Sequence, residues 1–194
     1  MPEEKKAYHH GNLKAVLAEA ALAMVAESGW EAFTRRAGVS HNAPYRHFKS
    51  REDLIAVLAT EGLLKINRDV VKAVKAAKDP TARVYAAGRA YLKFGMKHPA
   101  EFKAMFHGAF EREAYPEYVA AYSESLNILS GLMESHTGKG EAAELAGDLL
   151  WATIHGITEL GIAKRLRHGE MKALEELADS AVESLLKGTG KRGN

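Results

Sequence analysis

The segment Arg35-Arg36-Ala37-Gly38-Val39-Ser40-His41-Asn42-Ala43-Pro44-Tyr45-Arg46-His47-Phe48-Lys49-Ser50-Arg51 decides how this chain is read. Gly38 supplies a tight turn and Ser40 is suited to cap a short helix from about His41 to Phe48. Pro44 stands near the first turn of that helix, where a missing N–H costs little. Ser50-Arg51-Glu52-Asp53 then has the form of a capping box, opening a long helix with Leu54, Ile55, Leu58 and Leu64 turned inward. Upstream, Leu13, Val16, Leu17, Ala20, Ala21, Met24 and Val25 repeat at the spacing of a one-sided helical face, with Gly29 at its stop. A short capped helix that follows a glycine turn and lies between two amphipathic helices is the layout of a helix-turn-helix.

The charge supports that layout. The 194 residues carry 27 Lys+Arg and 25 Asp+Glu, a net charge of only +2. Between Ala32 and Arg51, however, there are five basic side chains and no acid, so these 20 residues hold +5 and the other 174 hold −3. His41, Tyr45, His47 and Phe48 are interleaved with the basic residues. A small basic surface on a mildly acidic body is the pattern of a polyanion-binding head.

The rest of the chain reads as helix. Ala, Leu, Glu and Lys dominate, and no stretch alternates with period two, so the fold class is all-α. Asp79-Pro80 predicts a capped helix to about His98; Pro99 starts another, and Pro116 a third to about His136. Thr137-Gly138-Lys139-Gly140 is a connection without the spacing of a phosphate-binding loop. Two further helices are predicted, Glu141 to Arg167 and Met171 to Leu186, separated at Gly169, with a frayed tail from Gly188. The division is residues 1–65 for the helix-turn-helix domain and 66–194 for a second helical domain.

Three motifs carry a family resemblance: Tyr8-His9-His10-Gly11-Asn12-Leu13, Arg36-Ala37-Gly38-Val39-Ser40, and Ala43-Pro44-Tyr45-Arg46-His47-Phe48 running into Lys49-Ser50-Arg51-Glu52-Asp53-Leu54. Together they resemble the DNA-binding domain of the TetR family of bacterial repressors. Tyr91-Leu92-Lys93-Phe94, His98-Pro99-Ala100-Glu101-Phe102 and Trp151-Ala152-Thr153-Ile154-His155-Gly156 resemble the Trp-His-Gly subgroup of its C-terminal domains. The resemblance implies a regulator, expected to be a repressor, that binds a palindromic double-stranded DNA operator as a homodimer and leaves it when a small-molecule effector binds. It also implies DNA contacts from Arg36, Ser40, His41, Asn42, Ala43, Tyr45, His47 and Lys49. Relative to the family, about five residues of the type Leu-Arg-Glu-Val-Ala are missing between Thr34 and Arg35, which leaves scarcely one turn for the bracing helix. Two readings stay open there: residues absent from the source of the sequence, or a real deletion. The second would leave a dimeric small-molecule binding protein that has lost DNA binding.

For the second domain, a ligand pocket is expected from Tyr91, Phe94, Phe102, Met105, Phe106, Tyr122, Trp151 and His155, apolar and aromatic residues with a few polar groups. A dimer seam is expected from Gly156, Leu174, Leu177, Ala181 and Leu185, although a core inside one chain explains the stripe from Met171 to Leu185 equally well. Gly147, Gly156 and Gly161 weaken their helix unless another backbone comes close. No His-Glu-x-x-His, Gly-x-Ser-x-Gly or Gly-x-Gly-x-x-Gly pattern occurs, so neither an enzyme, nor a metal site, nor a cofactor is expected. Apolar stretches such as Leu149 to Ile154, and the longest unbroken one, Ala20 to Ala26, are far short of a membrane span, and cytoplasmic residence is the expectation.

Overall fold

The computed structural model describes Ala21, Phe48 and residues 50–189. The eight DNA-contact candidates and the Thr34–Arg35 junction lie outside the described residues. Those described are all-helical: α1 (Arg51–Ala76), α2 (Pro80–Lys97), α3 (Pro99–His107), a 3-10 turn (Arg112–Ala114), α4 (Pro116–Thr137), α5 (Glu141–Ile162) and α6 (Met171–Thr189).

The starts follow the sequence signals. Ser50 Oγ accepts the Asp53 N–H at 3.1 Å, and Glu52 and Asp53 place negative charge at the positive end of α1. Asp79 Oδ1 accepts the Ala82 N–H at 2.8 Å, with Pro80 in the first turn of α2. Pro99 and Pro116 likewise stand in the first turns of α3 and α4, there without a side-chain cap. Gly138 and Gly140 take φ of 86° and 80° in the link to α5, a region that L side chains avoid. The 65/66 division falls inside α1, which runs unbroken for 26 residues.

Two ends differ from expectation. α5 stops at Ile162, not Arg167. Lys164 turns into the left-handed region at φ 53°, the Arg165 N–H bonds back to the Leu160 carbonyl at 2.9 Å, and Leu166 packs onto the core. A glycine normally marks such a stop, and none stands there. α6 runs three residues beyond Leu186, to Thr189.

α1, α2 and α4 frame the interior, with α3 against α1, α5 against α2 and α4, and α6 across α2 and α5. Phe102, Leu92, Met133, Val84 and Leu174 are fully buried between them. Gly147 and Gly161 explain two of the close helix approaches. A Cβ at Gly147 would meet the α4 backbone at Leu129 C and Ser130 N, both at 3.0 Å, and one at Gly161 would meet Leu174 Cδ1 at 3.1 Å. The Arg89 guanidinium pairs with both oxygens of Asp179, and Lys93 Nζ lies 2.9 Å from Glu175, tying α2 to α6. A second, smaller cluster joins Ala21 and Phe48 of the head to Leu54 and Leu58 of α1 and Ala100 and Ala104 of α3. Phe48 is thus half-buried among core residues, as its apolar ring favours.

Candidate functional site

The site is built on one face of α1. Leu63, Ile66, Asn67 and Val70, spaced one helical turn apart, line a cavity of about 50 Å³ together with Tyr91, Phe106, Tyr122, Ser125, Leu126, Ile128, Leu129 and Trp151. No charged side chain lines it. Asn67 Nδ2 donates to the Ala121 carbonyl at 3.0 Å, and Ser125 Oγ donates to Asn67 Oδ1 at 2.8 Å, so the amide is held at both ends. A second cavity, of about 30 Å³, is lined by Val70, Ala87, Gly88, Tyr91, Leu129, Leu150, Trp151 and Ile154. Val70, Tyr91, Leu129 and Trp151 belong to both.

A hydrogen-bond chain stands where the two cavities meet. Trp151 Nε1 donates to Tyr91 Oη at 3.1 Å, and Tyr91 Oη lies 2.9 Å from His155 Nδ1. Indole is only a donor, so the phenol oxygen accepts from it, and the direction of the Tyr91–His155 bond is set by the imidazole tautomer. Burial pushes the Tyr91 phenol well above its usual range, outweighing the Trp151 N–H, which acts the other way; the group is a neutral hydroxyl. Phe102 stacks on His155 with centroids 5.2 Å apart, and Phe106 meets it edge-on at 4.6 Å.

Of the eight pocket candidates, Tyr91, Phe106, Tyr122 and Trp151 line the larger cavity. Phe102 and His155 stand behind them as ring partners and do not line it. Phe94 and Met105 do not line it either: Phe94 is buried beside His98, with centroids 5.1 Å apart, and Met105 fills the space over Gly62. Their helical registers point them elsewhere, which residue type alone could not reveal. Asn67 was missed, but it had left a signal as the one polar residue in the apolar series Leu63, Ile66, Val70.

The dimer candidates separate similarly. Leu174 is fully buried within its own chain, packed near Gly161, so it belongs to the core and not to a free seam. Ala181 and Leu185 are half-buried against the same core, whereas Leu177 is 42% exposed. Nothing lies within 4 Å of a Cβ built at Gly156. On α5, Gly156 shares a face with the exposed Leu145, Leu149 and Leu160, since spacings of 4, 11 and 15 residues fall within an arc of about 60°.

At the other end of α1, Tyr115 Oη donates to Asp53 Oδ1 at 2.9 Å. Partial burial, then the neighbouring carboxylate, raises the Tyr115 phenol above its ordinary value. Lys65 Nζ meets the buried Glu101 at 2.6 Å and ties α1 to α3. Among the described residues no group of acids and histidines is placed to hold a metal, and no helix is long and apolar enough to cross a membrane.

Comparison with known proteins places these features in context. A family model described as "Tetracyclin repressor-like, C-terminal domain" matches residues 84–185. The HTH-type transcriptional regulator BetI of Rhizobium meliloti (strain 1021) is 32% identical over 126 residues, which cover 60% of this chain and 62% of that relative. The chain therefore matches less than two thirds of that relative's length. A protein with unknown function from Rhodococcus sp. RHA1 superposes with a TM-score of 0.73 at 26% identity, over 96% of this chain and 100% of the other. FadR of Bacillus subtilis, solved in complex with stearoyl-CoA, has a TM-score of 0.66 at 18% identity, over 89% and 97% of the two chains.

Proposed function

Because the chain belongs to the tetracycline-repressor-like family of transcriptional regulators, we propose that it is a repressor that holds a palindromic operator as a homodimer and is released by a small apolar effector. The observation that carries this is the apolar cavity. It is walled by four residues of α1, the same helix whose first turn follows the basic head. A molecule there touches the element that positions the head. FadR, which shares the fold, was solved with a ligand bearing a long apolar chain, in keeping with a cavity of this lining.

The homodimer would close over the exposed face of α5 at Leu145, Leu149, Gly156 and Leu160, joined by Leu177 of α6. Arg36, Ser40, His41, Asn42, Ala43, Tyr45, His47 and Lys49 would meet the operator, with the two recognition helices in major grooves about one helical turn apart or more. The basic residues supply the salt-dependent phosphate contacts, and His41, Asn42 and Ala43 face base edges. No part of this role calls for catalysis or for membrane attachment, and it suits a protein of the bacterial cytoplasm.

The test is selection of bound duplexes from a random DNA pool at stated salt, with this chain and with about five residues restored between Thr34 and Arg35, a helix-forming length. Enrichment of an inverted repeat, with affinity falling as salt rises, is the expected result. If neither chain enriches any repeat, the regulator role gives way to a dimeric small-molecule binding protein.

A further inference from the structure

We infer that the Trp151–Tyr91–His155 hydrogen-bond chain is a latch between two chambers of one effector site. The effector is an uncharged, largely apolar molecule with one hydrogen-bonding group, which takes the place of the Trp151–Tyr91 bond and joins the chambers. This deepens the regulator proposal and rests on it for the site's purpose.

Two observations and one energetic argument converge on the latch. Val70, Tyr91, Leu129 and Trp151 wall both cavities, so the two spaces adjoin across these four residues. Of these four, only Tyr91 and Trp151 are joined by a hydrogen bond, at 3.1 Å, and a rotation of either ring breaks it. The released group would be an indole N–H, a donor that is costly to leave unpaired in an apolar interior, while Tyr91 Oη keeps His155 Nδ1 at 2.9 Å. The entering molecule must therefore bring an oxygen or nitrogen of its own to that point.

The same surroundings fix the charge of the effector. Neither chamber is lined by an Asp, Glu, Lys or Arg, so an ion there would be desolvated without a counter-charge. No side chain lining either chamber has a buried polar atom lacking a hydrogen bond. Asn67 and Ser125 already satisfy one another and the Ala121 carbonyl. The aromatic faces are occupied as well: Tyr122 stacks on Tyr118 at 6.1 Å and meets Trp151 edge-on, which leaves no open cage for a cation. The latch is thus the one hydrogen-bonded pair on the shared wall. Cavities of about 50 and 30 Å³ admit a few water-sized groups each, so the molecule is slim and reaches through both.

The experiment uses the full chain labelled with 5-fluorotryptophan. Its two tryptophans, Trp30 and Trp151, give two fluorine resonances, and the Trp151→Phe spectrum assigns them. The probes are 1-octanol, octanoate and octyltrimethylammonium, which share a chain and differ in head charge. 1-Octanol is expected to move the Trp151 resonance and raise the melting temperature, with the two ions doing neither at equal concentration. Ala87→Val partly fills the second chamber alone; it should weaken 1-octanol binding about tenfold, the worth of about two methylene contacts. Equal or stronger binding of either ion, 1-octanol binding without movement of the Trp151 resonance, no binding of 1-octanol at all, or unchanged affinity in Ala87→Val each overturns the inference. Operator release is scored separately on the selected duplex. If 1-octanol binds as expected but leaves the complex intact, the regulator proposal fails while the latch stands.

Discussion

Leu145→Ala tests the proposed homodimer and the face on which its second copy would sit. Leu145 is 70% exposed on α5, the most exposed large apolar side chain among the described residues, and nothing within its own chain accounts for it. Truncation to Ala removes three methylene-sized groups, each worth about 0.8 kcal/mol when fully buried. Scaled by the share of the residue that a partner would cover, the loss is about 1.5 kcal/mol per copy. A two-fold interface counts it twice, so the dimer should weaken by about 3 kcal/mol, roughly a hundredfold in dissociation constant. Sedimentation equilibrium across protein concentration reads that constant, and circular dichroism confirms that the variant is folded. Leu174→Ala is the control. Leu174 is fully buried within one chain, so its loss should cost about 2–5 kcal/mol of folding stability with little change in dimer affinity at matched folded fraction. A Leu145→Ala chain that dimerises as tightly as the parent would refute the assignment of this face.

Three further outcomes are expected. Gly147→Ala should lower the melting temperature despite Ala's better helix propensity, because its Cβ would meet the α4 backbone at 3.0 Å; Gly156→Ala, with open space around it, should not lower it in dilute monomer. Asn67→Ala should shift the urea midpoint by an amount equivalent to about 1–3 kcal/mol, because the Ser125 hydroxyl and the Ala121 carbonyl lose a buried partner. The Tyr91 phenol is raised in the folded protein, so the stability it confers is fully present below the ordinary tyrosine value near pH 10 and is lost as pH climbs beyond it toward the raised value. Tyr91→Phe should therefore lose stability less steeply than the parent in denaturant titrations above pH 10, and equal slopes would count against the burial argument.

The helix starts were legible because capping is local. Ser50, Asp79, Pro99 and Pro116 act within one turn of themselves, and each opens a helix as its residue type requires. The end of α5 was not legible, because Lys164 is held at φ 53° by the return of Leu166 to a core contributed by distant segments. The site divides along the same line. Composition pointed to an aromatic interior in the second domain, and Tyr91, Phe106, Tyr122 and Trp151 do share a wall. Phe94 and Met105 have the same chemistry, but where they point depends on how helices cross. Leu174 illustrates the point within α6. With Ala178 and Val182 it forms the inward line, while Leu177, three residues on from Leu174, faces out, and period alone could not say which line served the core.

The geometry also constrains how a change in the cavity reaches the head. α1 lines the cavity at Leu63, Ile66, Asn67 and Val70 and starts directly after Ser50, so a shift at one end of this rod is a tilt at the other. Two attachments bear on its first turns. One is tight packing after α3, where a Cβ at Gly108 would stand 2.5 Å from Ile55 Cγ2. The other is the Tyr115–Asp53 hydrogen bond, and Tyr115 is itself reached from the cavity by a run of ring contacts: Trp151 to Tyr122 at 6.1 Å, Tyr122 to Tyr118 at 6.1 Å, Tyr118 to Phe110 at 5.0 Å and Phe110 to Tyr115 at 5.5 Å. A ligand that turns Trp151 therefore presses on α1 directly through the cavity wall and on its first turn through these rings. Both routes run through packed side chains with no charged group in the cavity wall, so in the proposed regulator the coupling between effector and head would be steric. In the proposed regulator, the basic charge of the head would set how tightly operator DNA is held, and the apolar body would set when it is released.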